Sequence, residues 1–321
     1  MPKFLPHSVN CLHNSVRAQA QADRLQTDHV SPIIIAETGT DAKRREIKME
    51  QLYVLGTGNA TSVEAFNTCF LIRDGDELFL TDTGGGNGLL KRLRDMDIAP
   101  EDIHHVFLSH AHMDHCLGAL WLIRVLSVKM QAGHYNGTLS FYGHREVLDT
   151  VDAMCNMMLR PKFYRMIGKY IFFEAVQPGE TRQIASWPVT FFDIGSKKTL
   201  QYGYTLRLHS GRTLVFAGDE PVKPGTAEIG QNADWLLREV LCCHADEGQF
   251  HAYEKKHATM KEACMESADM QVKNAVLWHL EDRTDKKIRK GKYLAEANQW
   301  LSGVPEPPVV HVPDDGDILT L

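Results

Sequence analysis

The chain has 321 residues, with 35 Lys+Arg against 41 Asp+Glu for a formal net charge of −6, and 43% of its residues are hydrophobic. That apolar content supports a packed core and excludes a wholly disordered or fibrous chain, while the acidic balance argues against coating nucleic acid through bulk positive charge. No apolar run reaches the ~18–20 residues that a membrane helix needs; the longest, 117–130, is broken by Arg124 and Lys129.

Residues 1–48 are polar, with seven basic and five acidic residues, and are expected to form a flexible N-terminal extension. From Met49 the pattern becomes dense, and 49–321 is expected to be one domain. Strands are predicted over 51–55, 68–73 and 77–81, the last two joined by the turn Asp74-Gly75-Asp76. A helix follows at 89–96, then a short strand at 105–108, a helix over 117–130, a strand at 138–142 and an amphipathic helix over 146–159. Strands at 189–193 and 202–208 lead through a Ser210-Gly211 turn to a strand at 213–217. Helices are predicted at 235–240, 260–270 and 293–301, and strands at 275–278, 309–312 and 317–320. Strand groups at both ends with helices between them point to an α/β protein of two packed sheets covered by helices on their outer faces.

Seven cysteines, an odd number at irregular spacing with no CxxC pair, read as reduced thiols of a cytoplasmic protein. Cys116 reads as a packing residue. The methionines Met154, Met157, Met158 and Met166 read as packing residues or as a face for a homodimer.

The chemistry concentrates in Ser109-His110-Ala111-His112-Met113-Asp114-His115-Cys116-Leu117-Gly118. Imidazole and carboxylate are the donors of Zn²⁺ and related borderline metals, with Mn and Fe accepted by the same set. Alternate residues of an extended segment face one way, so His110 and His112 point at one ion, while Asp114 and His115, after the chain turns, reach a second. Two ions ~3.5–4 Å apart can clamp both oxygens of a displacement. His104 and His105 enter a strand before this run and read as ordinary residues. The Gly56-Thr57-Gly58 turn lacks the third glycine of a dinucleotide loop and reads as a tight turn.

This run resembles the signature of the metallo-β-lactamase fold superfamily, and further segments line up in its order. Leu80-Thr81-Asp82-Thr83-Gly84 is similar to the strand end whose aspartate orients the histidine loop. Phe216-Ala217-Gly218-Asp219 is similar to the segment of the bridging aspartate, and Leu277-Trp278-His279 to the strand ending in the last histidine ligand. Within the superfamily the chain most resembles ribonuclease Z, through Leu55-Gly56-Thr57-Gly58-Asn59-Ala60, the histidine run itself, and Lys256-His257-Ala258-Thr259, where Ala258 replaces a serine. The resemblance implies a four-layer αββα sandwich over 49–321 and two divalent ions. Asp219 would bridge them, with His110 and His112 on one and Asp114, His115 and His279 on the other. It also implies a hydrolase working through hydroxide held by those ions. Asp114 would orient the water, His257 would protonate the leaving group, and Asp82 would act from behind the ligands.

Two departures stand out. Gly195 occupies the segment where another histidine ligand is expected, leaving Asp193, Ser196 or water to complete the first site. The interval 195–219 also has no room for a protruding arm to grip transfer RNA. The bases Lys197, Lys198, Lys255 and Lys256 and the run Arg283, Lys286, Lys287, Arg289, Lys290 and Lys292 read either as solvated surface or as a positive ring at the mouth of the site. The second reading favours an anionic small-molecule or nucleic-acid substrate, above all a phosphodiester. The alternatives are a metallo-hydrolase of esters, thioesters or lactones, and a non-catalytic binding or regulatory member of the fold.

Overall fold

A computed structural model describes residues 49–321; the extension expected at 1–48 lies outside the described residues. Alternation along the strands sets the layers. In β1 (Gln51–Gly56), β2 (Cys69–Asp74) and β3 (Glu77–Thr81), the residues Leu52, Val54, Phe70, Ile72 and Phe79 enter one core, and Tyr53, Leu55, Leu71, Leu78 and Leu80 enter another. A strand buried on both faces in this way must lie between a second sheet and a layer of helices.

With β4 (His105–Phe107), β5 (Leu139–Gly143), β6 (Ile171–Ala175) and β14 (Ile318–Thr320) these strands form a seven-stranded mixed sheet, ordered β14-β1-β2-β3-β4-β5-β6. The second sheet holds β7 (Thr181–Ile184), β8 (Trp187–Asp193), β9 (Tyr202–Arg207), β10 (Thr213–Phe216), β11 (Trp235–Glu239), β12 (Asn274–Trp278) and β13 (Val309–His311), ordered β13-β12-β11-β10-β9-β8-β7. Helices α1 (Gly88–Asp95), α2 (Met113–Gln131), α3 (Arg145–Met158) and the short α4 (Pro161–Tyr164) cover the first sheet. Helices α7 (Met260–Asp269) and α8 (Lys286–Trp300) cover the second, with the short α5 (Pro224–Gly230) and α6 (Glu247–Phe250) in its connections. The result is the expected αββα sandwich. No helix among the described residues is long and apolar enough to cross a membrane.

Aromatic rings lock the sheets together. Phe70 stacks on Trp278 at 4.8 Å and meets Phe216 edge-on at 5.3 Å, while the hydroxyls of Tyr204 and Thr81 hydrogen-bond at 2.8 Å in the same layer. Most predicted elements form within a residue or two of their expected bounds. The segment predicted as a helix at 235–240 is instead strand β11, paired in parallel with β10 and β12. All five of its residues are buried, so it shows no two-residue alternation and mimics a buried helix. The strands β6 and β7 were not anticipated. Met154 and Met166 pack on the helix-side core, whereas Met157 and Met158 are exposed.

Residues far along the chain brace the loop after β1. Asp315 accepts hydrogen bonds from Thr57 N (3.0 Å), Thr57 Oγ1 (2.8 Å) and Phe66 N (2.7 Å), and pairs with Arg92 at 2.7 Å. Half of the basic run after His279 is engaged in such pairs: Arg289 meets Asp314, Lys290 meets Asp317 and Lys292 meets Asp246. Those three cations stabilise the fold and do not ring the site.

Two predictions follow from the packing. Phe70→Ala should destabilise the protein by about 3–5 kcal/mol in a denaturant titration, because it opens a cavity between the sheets. His144 caps α3 by accepting Val147 N–H on Nδ1, and burial holds its imidazole below the ordinary 6.5. The cap therefore favours a neutral ring in the folded state. As pH falls below about 6.5 the unfolded chain takes up a proton that the folded one resists, so this contribution is complete above that pH and wanes below it. His144→Asn, which caps without titrating, should flatten the decline of Tm between pH 6.5 and 5.

Candidate metal centre

The site forms where several strands of both sheets end. β3 runs into Asp82, whose φ of 55° lies in the left-handed region and turns its carboxylate back under the histidine loop. Asp82 Oδ1 accepts Ser109 N at 2.8 Å, and Oδ2 accepts Ser109 Oγ at 2.7 Å and His115 Nδ1–H at 2.8 Å. These bonds fix the His115 tautomer with Nε2 aimed into the cluster. Asp82 thus orients His115, a candidate ligand.

Helix α2 begins at Met113, four residues earlier than predicted, with His112 as its N-cap in extended conformation, and so carries Asp114 and His115 on its first turn. Gly118 lets that turn press against the β3 end, since a Cβ there would lie 2.0 Å from Thr83 O. Asp219 enters after β10, Glu239 ends β11, and His279 follows β12 with φ of 64°.

His115 Nε2 lies 3.3 Å from Asp114 Oδ2 and 3.6 Å from Asp219 Oδ2. His279 lies 3.5 Å from Asp114 Oδ2 through Nε2 and 3.1 Å from Asp219 Oδ1 through Nδ1. His110 Nε2 sits 3.8 Å from Asp219 Oδ2 and 2.9 Å from His112 Nδ1, with His112 exposed at the rim. Donor atoms within 4.8 Å of one another form three groups: Asp114 with His115 and His279; His110 with His115 and Asp219; and Asp219 with Glu239, His257 and His279.

Buried charge demands partners, and here the carboxylates Asp82, Asp114, Asp219 and Glu239 are all within a few per cent of full burial. Burial raises the Asp114 carboxyl, but His115 and His279 outweigh it and hold it well below the usual carboxylate range. Asp219 is held low against burial in the same way, chiefly by His279 and His115. Burial opposes a charge on His115, yet Asp114 and Asp82 pull its pKa well above 6.5; His110, by contrast, is pushed well below 6.5 by burial and by His115. His115 Nε2, both nitrogens of His279 and Asp219 Oδ1 are buried without hydrogen-bond partners. Orphaned donor atoms converging from three segments fit a divalent metal.

Other expectations need correction. Asp193 spends its carboxylate on Gly195 N at 2.8 Å, and Ser196 Oγ donates to Glu220 Oε1 at 2.6 Å, so neither completes the site beside His110 and His112. Gly195 itself has φ of +72°, and a Cβ there would face Lys223. Cys116 is buried packing, its thiol pushed up to about 11 by burial.

His257 does reach the site. A capping box of Thr259 and Glu262 starts α7, and just before it His257 Nδ1 lies 3.3 Å from Glu239 Oε2 and 3.9 Å from Asp219 Oδ1. Burial lowers the pKa of His257, but Glu239 more than compensates and raises it. Sequence reasoning missed Glu239, whose other oxygen accepts Ala258 N at 2.7 Å and so also fixes the backbone beside His257. Its one signal is an acidic residue closing a wholly buried strand.

With this geometry in view, comparison decides the family. The sequence matches the family described as Anti-Pycsar protein Apyc1 over residues 50–300. The chain belongs to the Anti-Pycsar protein Apyc1 family. It is also similar to ribonuclease Z of Pyrobaculum arsenaticum, 26% identical over 304 residues that cover 84% of this chain and 97% of that one. The match to ribonuclease Z of Phocaeicola vulgatus, 24% identical over 135 residues, spans 42% of this chain and 40% of that protein's length. Among solved structures, the metallo-β-lactamase fold protein YhfI from Bacillus subtilis superposes with a TM-score of 0.67 at 19% identity, over 84% of this chain and 99% of that one. The fold of this family member is thus the metallo-β-lactamase fold, as its motifs imply.

Asp82→Ala should lower zinc affinity ~10–100-fold in a competition titration against a chromogenic chelator, because His115 loses the partner that orients it.

Proposed function

We propose that the protein is a metal-dependent hydrolase of phosphodiester bonds. The observation that carries this reading is His257, held by Glu239 at the edge of a buried set of metal donors. An alkoxide leaving from phosphorus needs a proton, and an imidazole whose far nitrogen faces a carboxylate is suited to give one. Asp114, His115, His279 and Asp219 would hold a divalent ion, with His110 and His112 offering donors for a second beside Asp219. When bound, the metal supplies Lewis-acid charge and lowers the pKa of water toward neutrality.

The remaining work falls to the chain. Asp114 and Asp219 orient the attacking water through their carboxylate oxygens. His257 delivers its Nε2 proton to the departing oxygen while Nδ1 stays against Glu239, and Asp82 keeps His115 in register throughout. The ribonuclease Z relatives, by their name enzymes that cleave RNA, support the reaction class. A compact substrate suits this chain better than a transfer RNA. Between Gly195 and Asp219 the chain makes only β9, β10 and their turn, with no protruding arm, and half of the basic run is tied up in ion pairs.

Leaving groups of different basicity provide the test. With Zn²⁺ or Mn²⁺ loaded, His257→Ala should lower kcat ~10²–10⁴-fold on a diester with an alkyl leaving group. The loss should be much smaller on bis(p-nitrophenyl) phosphate, whose leaving group needs no proton. Glu239→Gln should follow the same pattern more weakly. Equal losses on both substrates would remove His257 from the acid role, and turnover of thioesters or lactones in preference to either diester would overturn the phosphodiester reading.

A further inference from the structure

The loop between β8 and β9 stands where a further histidine ligand is expected, and it delivers a cation. Its ends are tied to the metal centre: Tyr202 N donates to Ser109 O at 3.0 Å, and Gln201 Oε1 accepts Asp219 N at 3.2 Å. Its bend is fixed by Ser196, whose hydroxyl bonds Glu220 and accepts Lys198 N at 3.2 Å and Thr199 N at 3.4 Å. This frame carries Lys198, half-buried, with Nζ 3.3 Å from His257 Nε2.

Lysines that lean inward normally meet a carboxylate. Lys198 forms no ion pair among the described residues, although Lys223, four positions past Asp219, pairs with Glu220 at 3.4 Å. Its ammonium instead points at an imidazole nitrogen, beside a histidine whose charge Glu239 favours. Two nitrogen donors 3.3 Å apart can bond one phosphate group together, each to its own oxygen or both to a shared one.

We propose that Lys198 is a substrate-binding residue whose ammonium, beside His257, holds a non-bridging oxygen of the phosphate at the metal centre. The inference rests on the phosphodiester reading and deepens it. The His110 and His112 position has lost the ligand expected from the 195 loop, and the same loop returns a fixed positive charge on the substrate side. A lysine placed there draws in an anion without competing for the donors, and it disfavours neutral esters that offer no oxyanion.

The test uses the metal-loaded protein and inorganic phosphate as probe. Phosphate affinity is measured by calorimetry and as a competitive inhibition constant, alongside metal content per chain. Lys198→Met should weaken phosphate at least tenfold and raise KM for bis(p-nitrophenyl) phosphate similarly, with metal content and Tm unchanged. Lys198→Arg should restore affinity to within about threefold. Lys273→Met, which removes an exposed lysine paired with Asp234 at the opposite end of β12, serves as the control and should change neither. Phosphate affinity in Lys198→Met equal to that of the parent would overturn the proposal while leaving the phosphodiesterase reading intact. A parent that binds phosphate through Lys198 but turns over no diester would do the reverse. A loss of metal in Lys198→Met would overturn it too, by making the lysine a support of the donor cluster.

Discussion

The carboxylate of Asp82 takes three hydrogens at once, from the amide and hydroxyl of Ser109 and from His115 Nδ1. Much of the site depends on that arrangement. It couples the end of β3 to the loop before α2, sets the start of the helix and leaves His115 Nε2 with a single direction to face. The left-handed backbone at Asp82 is tolerated because a short carboxylate can satisfy the groups around it, and a β-branched residue there would be strained as well as silent. His279, just after β12, is also left-handed with φ of 64°, so in each sheet a residue of the site follows a strand end in this conformation.

Negative charge accumulated in this way has to be balanced inside the protein. The histidines divide the task by their surroundings. Asp114 and Asp82 draw the pKa of His115 up against burial, whereas burial and His115 push that of His110 down. Lys198 and His257 stand on the solvent side, where an incoming anion would meet them before it met any carboxylate. Under the proposed function the site would be graded from a negative floor to a positive lip, a field suited to an anionic substrate.

How much of this was legible beforehand varied with the kind of constraint. The candidate donors His110, Asp114 and His115 were legible as a cluster because ligand chemistry fixes residue type and spacing within one short segment, whereas His112, expected with them, is exposed and joins none of the three groups. The layered fold was visible because strands buried on both faces, helices and turn residues each leave a local pattern. Strand β11 was not, since Trp235 to Glu239 is buried on both sides and carries no period of its own. Its error hid Glu239, whose role exists only because β11 lies beside β12 and brings the carboxylate up to His257. The expected compensation by Asp193 or Ser196 failed for a similar reason. Both side chains are consumed by their own loop, and nothing local to the sequence distinguishes a donor free to bind from one already engaged. Lys198 was seen as one of many bases, and its approach to His257 Nε2, which exists only in the folded chain, is what separates it from the rest.

The loop after β1 is held by Asp315, and β1 itself pairs with β14, so the first strand of the domain is completed by residues far along the chain. His279 and His257 also arrive late. A chain emerging from the ribosome therefore exposes the His110 to His115 segment long before the partners that close the site around it. Only once His279 has been made can all the candidate donors come together, and an ion captured earlier by the histidine run alone would be held by fewer of them. Order of synthesis thus delays assembly of the full centre until His279 has been made, a timing imposed by topology and needing no separate control.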